Sequence, residues 1–187
     1  MQDLDVLKVL IVADHTQRGQ PISKLGYFCA PFRPNVGPFA DKVIKVYRGL
    51  SDHAALHRLA ACHDHYVAVL QKTGVPLPET TFHLLDLERE LVPVIVQEAL
   101  PEASMMRDQM LRADSAQAII LLEAAANVIA DFWNNLANDG LRVGFHPSIR
   151  NFAIVNGQAI FFDTFPPLIH YNRAEMGRML LQFSEKR

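Results

Sequence analysis

His146, Asn151 and Asp163 are the residues whose types and spacing best equip this chain for chemistry. Asn151 and Asp163 stand just before and just after two short apolar runs, FAIV and AIFF, which the dipeptide Asn156-Gly157 joins. Asn-Gly between such runs predicts two strands on a type I′ turn, and closing that hairpin brings both polar side chains to its open end. An amide oxygen and a carboxylate suit Mg²⁺, which takes few protein ligands and completes its octahedron with water and phosphate oxygens. His146, five residues before Asn151 on the approach loop, carries an imidazole, chemically able to accept a proton from a substrate hydroxyl. Each residue also has a structural reading. Asn151 can bond the loop backbone, Asp163 can cap the segment before Pro166-Pro167, and His146 can pack in a loop stiffened by Pro147.

The elements that must position these residues are read from punctuation and periodicity. Residues 3–14 predict a short helical lead-in, broken by Gly19 and Pro21. ISKLGYFCAPF and DKVIKVYRG predict strands joined by RPNVGPFA, whose Pro34 and Pro38 exclude a helix. The stretch from Ser51 to Gly74 has a polar start, helical apolar spacing and a terminal glycine. TTFHLLDL and ELVPVIVQEAL predict two further strands, with Pro93 threatening the start of the second. A short Met-rich helix near 102–112 follows, then a long helix from Asp114 or Ser115 to a cap at Gly140, the hairpin, and a final helix over 172–185. This order predicts an α+β chain with a sheet-rich first lobe over 1–100 and a shortened, mainly helical second lobe over 101–187.

Composition narrows the function classes. Lys and Arg total 18 against 20 Asp and Glu, a net charge of −2, so no general nucleic-acid or membrane footprint is present and any anion must be held locally. Two cysteines and an N-terminus without a secretory pattern lead us to expect a cytoplasmic protein with free thiols. AIILLEAAANVIADFW is interrupted by Glu123, Asn127 and Asp131, which predicts a buried helix rather than a membrane span. His53 and His57, at i and i+4, have the geometry of a two-histidine ligand pair, yet no third ligand follows at suitable spacing. Met105, Met106 and Met110 read as packing or lid material. Arg150 is the arginine best placed to meet a phosphate, with a solvated surface role as its alternative.

The strand-helix-strand beginning, VIK at Val43 to Lys45, the long helix before the loop, and HPSIRN followed by FFD together resemble the protein-kinase-like fold, in its aminoglycoside and small-molecule phosphotransferase branch. The resemblance spans roughly residues 22–170 and rests on the order of elements more than on one motif. It implies a two-lobed kinase-like fold in which Lys45 contacts the α and β phosphates of ATP. It also implies that Asn151 and Asp163 hold Mg²⁺ and that Gln97, Glu98, Ala99 and Leu100 meet adenine through their backbone. Lys42 fits the lysine role by description as well. His146 falls where the family has its catalytic Asp, no Gly-rich phosphate loop lies between the first two strands, and the metal-binding segment reads DTFPP. The second lobe is short. The expectation is therefore a divergent, shortened kinase-like protein of pseudokinase type, binding a nucleotide or a protein partner. The alternative is an atypical ATP- and Mg²⁺-dependent phosphotransferase acting on a small hydroxylated or aminated molecule.

Overall fold

The computed structural model describes residues 2–13, 19–21, 29, 31–47, 52–88, 90–136 and 140–184. The chain is of mixed α+β class and divides into two compact units. One draws on Met1–Ala61, Glu79–Ala99 and Arg173–Arg187, the other on Cys62–Pro78 and Leu100–Asn172. Most of the strand expected over 22–32 lies outside the described residues.

The first unit is built on an antiparallel five-stranded sheet. Its strands are β1 (Gln20–Pro21), β2 (Phe32–Arg33), β3 (Lys42–Val46), β4 (Thr80–Asp86) and β5 (Leu91–Glu98), in the order β1-β2-β3-β5-β4. β5 is flanked on both edges, and its residues from Val92 to Gln97 are all buried. Val92, Val94 and Val96 share one face by the two-residue period of a strand. They form a core with Ile44, Leu85 and Phe32, against which Leu7 and Ile11 of α1 (Gln2–Val12) pack.

Pro93 sits inside β5 rather than breaking it, opposite Leu84 of β4. Its carbonyl accepts from Tyr47 N at 3.0 Å. A strand residue directs its N and its C=O to the same edge, so the missing N–H faces the side where β3 has just ended. No bond to β4 is lost, and β3 stops pairing at Val46↔Val94.

The 20-residue helix α2 (His53–Lys72) starts on Asp52, whose carboxylate accepts from Ala54 N at 2.9 Å. It ends at Gly74, φ 88°, with Val75 N bonded to Leu70 O at 2.9 Å, a glycine-type helix stop. Its residues through Ala61 belong to the first unit and those from Cys62 to the second. In the first unit, Arg58 and Glu175 of α5 (Arg173–Ser184) make a 3.9 Å surface ion pair.

The second unit packs the hairpin β6 (Phe152–Val155) and β7 (Gln158–Phe161) on α4 (Ser115–Asn135). Leu121, Ala125, Val128 and Phe132 are the buried stripe of α4. Phe132, Phe145, Phe152 and Phe161 form a ring cluster with neighbouring centroids 4.7 to 6.2 Å apart. The expectation of a fully buried α4 is corrected: Ile119, Ile120, Leu122 and Trp133 are exposed. By length and composition this helix is also apolar enough to cross a membrane. It ends at Asn135 rather than near Gly140, because Leu136 turns extended while Asn135 Nδ2 donates to Thr73 O at 3.2 Å.

The Met-rich helix is likewise split, into a 3₁₀ turn at Glu102–Ser104 and α3 (Met106–Met110). Met105 between them is extended and bridges Ala153 of β6.

Candidate functional site

The hairpin is the scaffold of the site. Asn156 and Gly157 hold φ of 51° and 79°, the positive pair that a type I′ turn requires, and the register runs Phe152↔Phe161 to Val155↔Gln158. The ladder continues one step past its named ends, where Phe162 N donates to Asn151 O at 3.0 Å. Asp163 therefore follows directly on the bond that ties the two open ends together. From the other side, Phe161 N donates to Pro76 O at 2.9 Å, so the VPLP turn borders β7.

Asn151 closes a short 3₁₀ turn, Ile149–Asn151, in which its N–H bonds Ser148 O at 2.8 Å and the Ser148 hydroxyl accepts from Arg150 N. Its side chain is 9 % exposed. The amide nitrogen donates to His146 O at 3.1 Å. A carbonyl acceptor fixes which end of the amide is nitrogen, and Oδ1 is left without a hydrogen-bond donor among the described residues.

His146 is exposed. Its Nδ1 stands 3.5 Å from Asn151 Nδ2, an outer-limit contact in which the ring nitrogen can only accept.

Asp163 is half-buried, and the charge of its carboxylate is felt at Tyr66 of α2. Tyr66 is 1 % exposed, and burial first, then Asp163, pushes its phenol well above the ordinary tyrosine range. Next in sequence, fully buried Thr164 is tied by its hydroxyl to buried His63 Nε2 at 3.0 Å. Sequence reasoning singled out His53 and His57 on this helix, but both are exposed. His63 and His65 are the histidines that meet distant partners. The only available signal was the concentration of histidines itself.

The remaining expected residues lie on β3 and β5 or just after them. Lys42 is ion-paired to Glu79 at 2.9 Å and Asp41 at 3.8 Å, which raises its pKa, chiefly through the Glu79 bond. Lys45 is 8 % exposed, a degree of burial that lysine rarely accepts without a partner. The two lysines that were interchangeable by sequence are thus different in kind. Gln97 and Glu98 complete β5, and Gln97 Nε2 donates to Thr80 Oγ1 at 2.9 Å. The N–H groups of Glu98 and Ala99 are bonded to Glu79 O at 2.8 Å and Asp41 O at 2.9 Å. Of the four residues expected to meet adenine, only Leu100 has an N–H with no protein acceptor among the described residues. Arg150 is exposed.

An open cavity of about 330 Å³ lies at the other end of the hairpin, lined by Asn127 and Asp131 of α4 and by Asn156 to Ala159. It borders the turn, not the ends that carry Asn151 and Asp163. Among the described residues no three His, Cys, Asp or Glu side chains converge to form an all-protein metal cage.

Comparison with curated proteins and with solved structures finds no match to the chain. Residues 6–187 do match one family along nearly the whole chain, and the protein is therefore a member of DUF6206, a family of unknown function.

Proposed function

We propose that this protein is a divergent, kinase-like, two-lobed protein that binds ATP or a related nucleotide with Mg²⁺ and transfers phosphate poorly or not at all. The observation that carries this reading is the open end of the hairpin. There Phe162 N, one residue before Asp163, bonds Asn151 O, and Asn151 Nδ2 donates to the His146 carbonyl, which leaves Oδ1 without a donor among the described residues. Asn151 Oδ1 and the Asp163 carboxylate would hold Mg²⁺, and the ion would neutralise the nucleotide's phosphate oxygens when bound. Lys45 keeps the phosphate role, which its burial among the strands of the first unit supports. Leu100 keeps the adenine role through its backbone N–H.

The weak catalysis follows from His146. It stands where the resemblance puts the family's catalytic Asp, so the usual carboxylate base is replaced by an imidazole. The second reading, an atypical phosphotransferase acting on a small hydroxylated or aminated molecule, draws its support from the exposure of the same ring. A protein partner in place of an acceptor is the corresponding outcome for the non-catalytic reading.

Thermal unfolding with and without ATP and Mg²⁺, on the wild type and on Asp163→Ala, tests the proposal. A ligand at about a hundred times its Kd adds about 2.7 kcal/mol, which for a chain of this size is a rise of roughly 5–10 °C. The rise is expected in the wild type and absent in the variant. No rise in either protein would remove the nucleotide reading, and steady ATP turnover that His146→Ala abolishes at unchanged melting temperature would favour the transferase.

A further inference from the structure

We propose that His65 and His170 form a binding site for a divalent transition metal of tetragonal preference, Cu²⁺ or Ni²⁺, through His65 Nδ1 and His170 Nε2. These atoms are 2.7 Å apart although the residues are separated by 105 positions. The ring centroids are 4.8 Å apart and the planes are tilted by 39°. Both residues are exposed, so an ion reaches them from solvent.

The two rings are held by backbone that is anchored independently of their contact. His65 is carried by α2 between His63, bonded to Thr164, and the buried Tyr66. His170 follows Ile169, which bridges Val143, and its own N–H donates to Arg142 O at 3.0 Å. Its φ is 63°, an uncommon conformation for a residue with a Cβ, though histidine is among those that adopt it most readily. Two neutral imidazoles in contact need one N–H and one lone pair, and in water each ring finds comparable bonds alone. A metal instead uses the lone pairs of both nitrogens at once.

The separation bears on the coordination angle. Bonds of about 2.0–2.1 Å place two imidazole nitrogens about 3.3 Å apart at a tetrahedral angle and about 2.9 Å apart at a right angle. The observed 2.7 Å lies nearer the second, the angle of the tetragonal sites that Cu²⁺ and Ni²⁺ form with nitrogen and oxygen ligands. No group of three or more His, Cys, Asp or Glu side chains suited to a metal occurs among the described residues, so water fills the remaining positions. Nitrogen ligands also separate this site chemically from the oxygen pair proposed for Mg²⁺, and the two inferences stand independently.

The test is titration with Cu²⁺ alone, followed by isothermal calorimetry and by electron paramagnetic resonance. The proteins are the wild type, His65→Gln, His170→Asn and the double variant His53→Ala/His57→Ala, whose pair is the competing site on the same helix. Asn is chosen at 170 because it tolerates positive φ, and equal melting temperatures confirm that the variants fold. We expect one bound ion with two coupled nitrogens in the wild type and in the His53/His57 variant, and at least tenfold weaker binding in His65→Gln and in His170→Asn. Unchanged affinity in those two variants, or loss confined to the His53/His57 variant, overturns the proposal. Zn²⁺ competing for the site better than Ni²⁺ would overturn the tetragonal assignment.

Discussion

Tyr66 lies 1 % exposed, with its phenol beside the charge of Asp163, and both conditions favour the neutral form. An unfolded tyrosine loses its proton at about pH 10, whereas folded Tyr66 keeps it beyond that point. The native state then binds more protons than the unfolded one, so stability that is complete below about pH 10 falls as pH rises further. Tyr66→Phe has no phenol to ionise and should show a shallower alkaline loss of melting temperature. Absorbance near 295 nm should show Tyr66 titrating only together with unfolding, and equal alkaline slopes in the two proteins would mean that the phenol reaches water. Residues of this kind were the least legible in the sequence. The hairpin that carries Asn151 and Asp163 at its two ends was legible in advance because a two-residue turn is a local signal. Tyr66 with Asp163, and His63 with Thr164 at 101 positions away, depend on how α2 packs in the second unit, which no local pattern states. The spacing of His53 and His57 left open what their face meets, for the same reason: helical spacing shows which side chains share a face, not what that face meets.

Asp114 begins α4, and its carboxylate accepts from Gln117 N at 2.8 Å. Asp114→Ala leaves an N–H of the first turn without its acceptor and should cost about 1 kcal/mol, seen as a lower urea midpoint at unchanged slope. A change below a few tenths would mean that water satisfies this helix start equally well. Starts and turns with side-chain chemistry of this sort were legible: the Asp114 cap, the Gly74 stop and the Asn156-Gly157 turn all lie where the sequence reading puts them. Ends decided by another element were not. α4 stops at Asn135 as that side chain reaches Thr73 O, and the Met-rich helix breaks where Met105 pairs with Ala153. Apolar periodicity also overstated the burial of α4, since Ile119, Ile120 and Leu122 continue the hydrophobic run around to the exposed face.

Each unit has its own core, one around Ile44, Val94 and Leu7, the other around Phe132, Phe152 and Phe161. α2 is a single 20-residue helix that runs through both units, with Leu56 and Leu59 buried before the division at Ala61 and Tyr66, Val69 and Leu70 buried after it. A helix is cooperative along its length, so melting one core removes support from a segment that continues into the other. The two cores should therefore unfold in one transition. Ile44→Ala, an isoleucine truncation in the first unit, should cost about 2–5 kcal/mol. The sole tryptophan, Trp133, reports from α4 in the second unit. With unfolding shared through α2, the midpoint seen by Trp133 fluorescence moves down together with the midpoint seen by far-ultraviolet circular dichroism, as two-state behaviour demands. If the tryptophan midpoint stays at its wild-type value while circular dichroism gains an earlier step, the units unfold separately and α2 does not couple them.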